Sequence, residues 1–359
     1  MEKLTSKCES CGYSMVFDPD KQMLLCSHCG GAKQIVSEVL QPKREYTSTS
    51  QLSKNENAAT VLECDSCGAK TNIDEKRASG VCPYCGSSSL HKLEQTLDFV
   101  PDAIVPFHIS KDKARESYKN WIKTRKFVPN KLKSSAKINK MEGYYFPCWN
   151  FDFNVDTTYS GIGVERHTRT VRRRGPNGTM ITDHETYYTR HPFSGRREDA
   201  FIDEATVASG HINGVEMEKL GRFGINGNLK TYNTAYLLGF LSSEFTIDLH
   251  NGLNMAKHSA EREVEQRAKR EHHYDSYENF KMDNTYSNIK WQYIYLPVWI
   301  CNFKYQKKDY RFLVNGFTGH VTGKVPRSGW KIFGLVVGIL AAVGLVAFAV
   351  YKAKTAGMF

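Results

Sequence analysis

The sequence predicts two small cysteine-stapled β modules, then an α+β domain with a duplicated antiparallel sheet, then one C-terminal transmembrane helix. Three observations predict it: eight cysteines in two sets of one spacing, an aromatic strand motif that occurs twice, and an uncharged apolar run near the C-terminus. The 359 residues are 40% hydrophobic and 24% charged, which excludes a disordered chain and a multi-span membrane protein. The expected segments are 1–40 (first module), 41–58 (polar linker), 59–95 (second module), 96–326 (α+β domain), 327–331 (linker), 332–350 (transmembrane helix) and 351–359 (short tail).

Cys8, Cys11, Cys26 and Cys29 read C-x2-C-x14-C-x2-C, and Cys64, Cys67, Cys82 and Cys85 repeat this 56 residues later. A glycine follows the second cysteine of every pair, and glycine takes the positive φ that a tight C-x2-C turn needs. Four thiolates converging on one point suit a tetrahedral cation, and a fully closed site is structural rather than catalytic. Disulfides would need an export signal, and Met1–Ser6 has no apolar core for one. Iron fits the ligands but lacks an evident redox partner site. The spacing therefore predicts two structural Zn2+ ions, with His28 and Asp65 as turn residues beside them.

Residues 41–58 are polar and Ser/Thr-rich, without apolar periodicity, as expected of a linker between the modules. From about Thr96 aromatic alternation begins. Ala114, Tyr118, Trp121 and Ile122 recur at helical spacing, predicting an amphipathic helix over Ile109–Phe127 that Pro129 ends. Tyr145-Phe-Pro-Cys-Trp-Asn-Phe-Asp-Phe153 is echoed by Tyr295-Leu-Pro-Val-Trp-Ile-Cys-Asn-Phe303. Each places proline at a strand start, where its missing N–H is harmless, and a duplicated sheet is the economical explanation. Gly175-Pro-Asn-Gly178 turns a hairpin between His167–Arg174 and Met180–Arg190. Asn233–Phe245 and Asn254–His273 read as helices, and Tyr310–Gly323 as a closing hairpin with an Asn-Gly turn. Cys148 and Cys301 lie in apolar strand contexts and read as buried thiols.

Ile332–Val350 holds nineteen residues without a charge. At ~1.5 Å per residue the run just crosses a ~30 Å hydrocarbon core. Trp330 and Lys331 before it, and Tyr351 and Lys352 after it, are suited to the two interfaces. Reduced thiolates require a reducing compartment, so the chain is expected at the cell membrane, single-pass, with its bulk in the cytoplasm.

Net charge is +11, but its distribution matters more. Residues 1–100 carry 11 basic and 13 acidic groups, whereas 101–150 carry 11 against 4, all eleven between Lys111 and Lys140. A cysteine module that held nucleic-acid phosphates should be the basic part of the chain, and here it is acidic. The basic face of the first helix (Lys111, Lys113, Lys119, Lys123, Arg125, Lys126) is a candidate contact for an anionic surface. No G-x4-G-K-[ST], G-x-S-x-G, H-E-x-x-H or dinucleotide fingerprint occurs, so no catalytic residues and no small-molecule substrate are inferred.

The doubled C-x2-C-G module resembles the TFIIB-type zinc-ribbon proteins of bacteria. Val105-Pro106-Phe107, the helix with Trp121, Tyr145–Trp149 and Asn315-Gly-Phe-Thr-Gly319 look like the body of their membrane-tethered members. The resemblance implies a non-enzymatic membrane subunit that works with flotillin-like and phage-shock-type coat proteins in envelope stress. The expected function is a tail-anchored adaptor that docks other proteins. The alternative is a tethered nucleic-acid binder using Lys111–Lys140 and Arg172–Arg174, and a third possibility is an enzyme with an unrecognised site in the sheet.

Overall fold

The computed structural model describes residues 7–36, 38–50, 52, 61–72, 82, 90–93, 99–130, 132, 141–174, 180–210, 214–306 and 308–355. β1 (Met15–Asp18), β2 (Met23–Cys26) and β3 (Ala32–Lys33) form a three-stranded sheet that carries the first cysteine set. β4 is Arg44–Glu45. Cys64 of the second set ends β5 (Val61–Cys64), which pairs with β6 (Lys70–Asn72) and β7 (Leu90–Leu93); these join the edge of a large sheet through the pair Asn72–Ser242.

That large sheet is built on three very long strands: β9 (Met141–Arg174), β10 (Met180–Val207) and β13 (Ser276–Tyr305). β9 pairs antiparallel with both others. Around them lie β8 (Ala103–Ile104), β11 (Lys230–Thr231), β12 (Leu241–Ser242), β14 (Lys308–Asn315) and β15 (Val321–Gly323). Among the described residues, three long helices accompany the sheet: α1 (Lys111–Thr124), α2 (Leu249–His272) and α3 (Gly329–Thr355).

The echoed motifs meet at the centre. Tyr145 pairs with Pro297, Phe146 with Leu296 and Pro147 with Tyr295, so the two copies run antiparallel about a local two-fold axis. The symmetry extends outward. β12 lies parallel to β9 at Tyr144–Tyr145, and β8 parallel to β13 at Ile294–Tyr295. The Trp149 indole donates to the Ile247 carbonyl (2.9 Å), and the Trp299 indole to the Ile109 carbonyl (2.8 Å). Thr246 and Ile247 amides bind the Ala208 carbonyl, as His108 and Ile109 amides bind that of Gly316.

Each half is thus a short strand, a helix, a long strand and a return strand, and each half's short strand and helix dress the other half's hairpin. The halves are interlocked. β10 is the return strand of the first half.

α1 spans Lys111–Thr124, shorter at both ends than the Ile109–Phe127 expected, and buries Ala114, Tyr118 and Ile122 with Trp121 packed beside them. α2 starts at Leu249 rather than Asn254, because Asp248 caps it by accepting from the Asn251 amide at 2.9 Å. Its buried Ala256, Ala260, Val264 and Ala268 are small, which lets the helix lie close on β9 and β10. The helix expected over Asn233–Phe245 does not form. A 3-10 turn, Thr234–Leu237, is capped by the Asn233 side chain, Gly239 takes φ +97°, and β12 follows. Parallel pairing with β9 overrides the local helical pattern. The closing hairpin β14–β15 exists, but its loop is longer than an Asn-Gly turn. Asn315 is fully buried, and its side-chain oxygen accepts from the Phe317 and Thr318 amides.

Within the polar linker 41–58, residues 43–46 are docked on the sheet. Arg44 pairs with Trp291 in the ladder, stacks over its ring at 3.9 Å and ion-pairs with Asp102. Lys43 reaches Asp203 at 2.7 Å and also pairs with Asp152. No local pattern pairs Lys43 with carboxylates more than a hundred positions away, so sequence reading missed this strap.

Candidate metal centres and the two ends of the arm

The cysteine turns share one local geometry. Gly12, Gly30 and Gly68 amides donate to the carbonyls of Cys8, Cys26 and Cys64 at 2.8, 3.1 and 2.8 Å, and the glycines take φ of +69°, +74° and +68°. The amides of Cys8, Cys26 and Cys64 in turn donate to Tyr13, Gly31 and Ala69. In the first set the Sγ atoms of Cys8, Cys11, Cys26 and Cys29 all lie within 4.8 Å of one another, with Cys8–Cys29 at 3.4 Å and Cys11–Cys26 at 3.5 Å. Tetrahedral zinc with Zn–S near ~2.3 Å needs S···S of roughly 3.8 Å, so this donor set fits such a cation after a small expansion. In the second set Cys64, Cys67 and Cys82 converge likewise, with Cys67–Cys82 at 3.7 Å; Cys85 lies outside the described residues. Two cysteine groups that could hold metal ions are therefore present.

Electrostatics around the first set favour a bound cation. Amides of Ser10 and Cys11 bring the Cys8 thiol down to about 6, and the Cys29 and His28 amides also help lower Cys26. Cys11 goes the other way, to about 12: desolvation and three neighbouring thiols outweigh the Tyr13 amide. Four thiolates cannot share this space without a positive charge among them. His28 stacks on Tyr13 at 5.2 Å as a turn residue. Cys148 and Cys301 are buried, as expected, and burial pushes the Cys301 thiol up to about 12.

Neither centre dangles. Phe17 of the first module donates its amide to Leu238 and packs on Tyr236 and Phe240, and Gln22 donates to the Phe107 carbonyl. Cys64, Ala69 and Cys82 belong to the same buried cluster as Tyr144 and Phe146.

α3 contains a stretch, Gly329–Ala349, long and apolar enough to span a membrane, with mean hydropathy 2.7 and none of it buried. It leaves the body beside the end of α1: Ser328 donates to the Phe127 carbonyl at 2.6 Å. Lys331 was expected at a membrane interface. Here its ammonium donates to Val128 O and Asn130 Oδ1, both at 2.7 Å, which fixes the first turn of α3 to the body. Trp330 is 82% exposed and Lys352 is exposed; the Tyr351 side chain lies outside the described residues. Of the basic face of α1, Lys119, Lys123, Arg125 and Lys126 are exposed. Lys113 pairs with Asp20 at 2.8 Å, Arg125 stacks on Trp121 at 4.6 Å, and Lys111 is half-buried.

The other end of the long strands lies far away. β9 starts at Met141, opposite Cys301, and runs 34 residues to Arg174. At ~3.3 Å per residue that is roughly 100 Å. Beyond Val164, among the described residues, β9 and β10 alone continue, as a two-stranded tip. Its faces differ. Arg169 and Arg173 share Glu185 on one face, with His167 beside Glu165. The opposite face pairs Arg166 with Tyr188, Thr168 with Thr186, Thr170 with His184, Arg172 with Thr182 and Arg174 with Met180, none of them acidic, and at its base the Asp275 carboxylate accepts from the Arg166 amide at 2.7 Å. The surface that would join Lys111–Lys140 to Arg172–Arg174 is therefore not one surface. α1 stands by α3, and the arginines stand at the far tip; Lys131, Lys133, Lys137 and Lys140 lie outside the described residues.

Fold and sites together define a chain with two cysteine clusters, a long antiparallel arm and one C-terminal apolar helix. It is 25% identical over 351 residues to "Uncharacterized protein YdjG" of Bacillus subtilis (strain 168), covering 94% of each chain. No protein-family model matches the chain, the TFIIB type included, and no solved structure matches it.

Proposed function

We propose that this protein is a non-enzymatic adaptor, anchored in the cell membrane by α3, with its bulk in the cytoplasm and two structural zinc ions in its cysteine clusters. The observation that carries the reading is the placement of the apolar helix and the arm tip at opposite ends of the same continuous strands. A rigid rod that starts at a bilayer presents its far end to partners at a fixed distance. The cysteine clusters are fastened to the rod rather than flexibly tethered, which suits a docking surface. The partners that the family resemblance implies, flotillin-like and phage-shock-type coat proteins of an envelope-stress complex, are the first candidates.

A second reading, a tethered nucleic-acid binder, rests on the tip face that carries Arg166, Arg172 and Arg174 with no acidic residue among its paired positions. One experiment separates the two: affinity purification of the full-length chain from native membranes in mild detergent, with and without nuclease, read by mass spectrometry. Defined membrane or coat proteins that survive nuclease support the adaptor. Retained material that vanishes with nuclease, and with Arg172→Glu/Arg174→Glu, supports nucleic acid.

A further inference from the structure

Where α3 leaves the body there is a cleft of about 570 Å3, within the range of ordinary ligand sites. One wall is the apolar helix itself, through Gly329, Trp330 and Phe333; the other comes from Tyr305 at the end of β13, with Arg327 and Ser328 at the junction. None of the lining residues is acidic. Arg327 is exposed and has no hydrogen-bond or ion-pair partner among the described residues. The first turn of α3, whose amides carry partial positive charge, begins in this wall. Arg125 and Lys126 immediately precede Phe127, which holds Ser328.

We propose that this cleft binds the headgroup of an anionic phospholipid. The inference rests on the anchor reading above. If Trp330 marks the bilayer surface, any occupant of the cleft already touches lipid, because a membrane-embedded helix forms its wall. The chemistry divides accordingly. Arg327 and the α3 amides face a phosphate, Tyr305 and Trp330 take the glycerol level, and Phe333 lies along the first acyl carbons. Lys331 is already committed to Val128 and Asn130, so it holds the wall in place while Arg327 supplies the free charge.

The test uses the full-length chain reconstituted in vesicles of equal parts phosphatidylcholine and phosphatidylglycerol, then extracted in mild detergent for native mass spectrometry. Wild type should retain phosphatidylglycerol in preference to phosphatidylcholine. Arg327→Ala should lower that preference about tenfold, as expected for one charge-assisted contact, and Arg327→Lys should restore part of it. Lys352→Ala, at the other end of α3, should leave it unchanged. An equal preference in wild type and Arg327→Ala overturns the proposal. So does displacement of the bound lipid by free glycerol 3-phosphate, which would make the ligand a soluble phosphate ester. Alkaline extraction of native membranes reads the anchor separately. Wild type and Arg327→Ala should both stay in the pellet, and release of wild type would instead sink the anchor reading.

Discussion

The two halves of the body share a junction and differ in what they build from it. In both, a Pro-x-Trp strand passes the centre and its indole binds a carbonyl just ahead of the partner half's helix. Beyond that point the first half returns on 28 residues of β10, the second on only 8 residues of β14. Helix lengths follow: α2, which lies on the long hairpin, has 24 residues, and α1, which lies on the short one, has 14. Each helix covers the other half's hairpin, so its length is set by a partner elsewhere in the chain. The symmetric junction holds the fold, and the asymmetric extension makes one end an arm while leaving the other next to the apolar helix.

Several perturbations would break or sharpen that comparison. The largest effect should come from separating the halves. Because each helix packs on the other half, residues 99–210 and 214–323 expressed apart should each lack cooperative thermal unfolding, and mixing them should restore it; independent folding of either would disprove the interlock. Next in size is metal removal. Binding at one structural site contributes on the order of 10 kcal/mol, and Cys26→Ser should lower the bound metal by one ion per chain in elemental analysis. It should also loosen the Phe17–Tyr236–Phe240 contact, read as faster hydrogen exchange at Leu237–Phe240.

Trp149→Ala and Trp299→Ala test the symmetry directly. Each should cost ~3–5 kcal/mol in thermal or urea unfolding, and a strong inequality would mean that only one indole holds the junction. The arm has its own ion cluster: the buried carboxyl of Asp199 meets Arg197 at 2.6 Å and Arg267 at 2.7 Å. Arg197 first, then Arg267, keep this carboxyl below the ordinary aspartate value. Its contribution is therefore full at neutral pH and is lost as pH falls below ~4 towards the lowered value. Asp199→Ala should cost roughly 3 kcal/mol and flatten the acid limb of the stability curve, with the effect confined to β9, β10 and α2. Asp102 works with the opposite sign: burial raises its carboxyl against the pull of the Tyr293 amide and Arg44. The smallest change should follow Arg172→Glu/Arg174→Glu, exposed at the tip, which should move stability by less than ~0.5 kcal/mol.

Much of this was legible in the residues. The C-x2-C-G spacing placed the cysteine turns, because thiolate convergence and positive φ are local demands that a sequence states openly. The apolar run and the buried stripe of α1 were equally plain, since a period or a run of uncharged residues is a property of neighbours. The duplicated Pro-x-Trp motif told of repetition. The sequence could not say that the copies pair with each other, that each half dresses its twin, or that α1 and the arginine tip stand at opposite ends. Those facts depend on contacts between residues separated by a hundred positions or more, such as Trp299 with Ile109 or Lys43 with Asp203. For the same reason Asn233–Phe245 misled: its local helical pattern was real, but a parallel neighbour in the sheet outweighed it. Spacing along the chain determined the chemistry of each site, and only the tertiary pairing decided how far apart those sites stand.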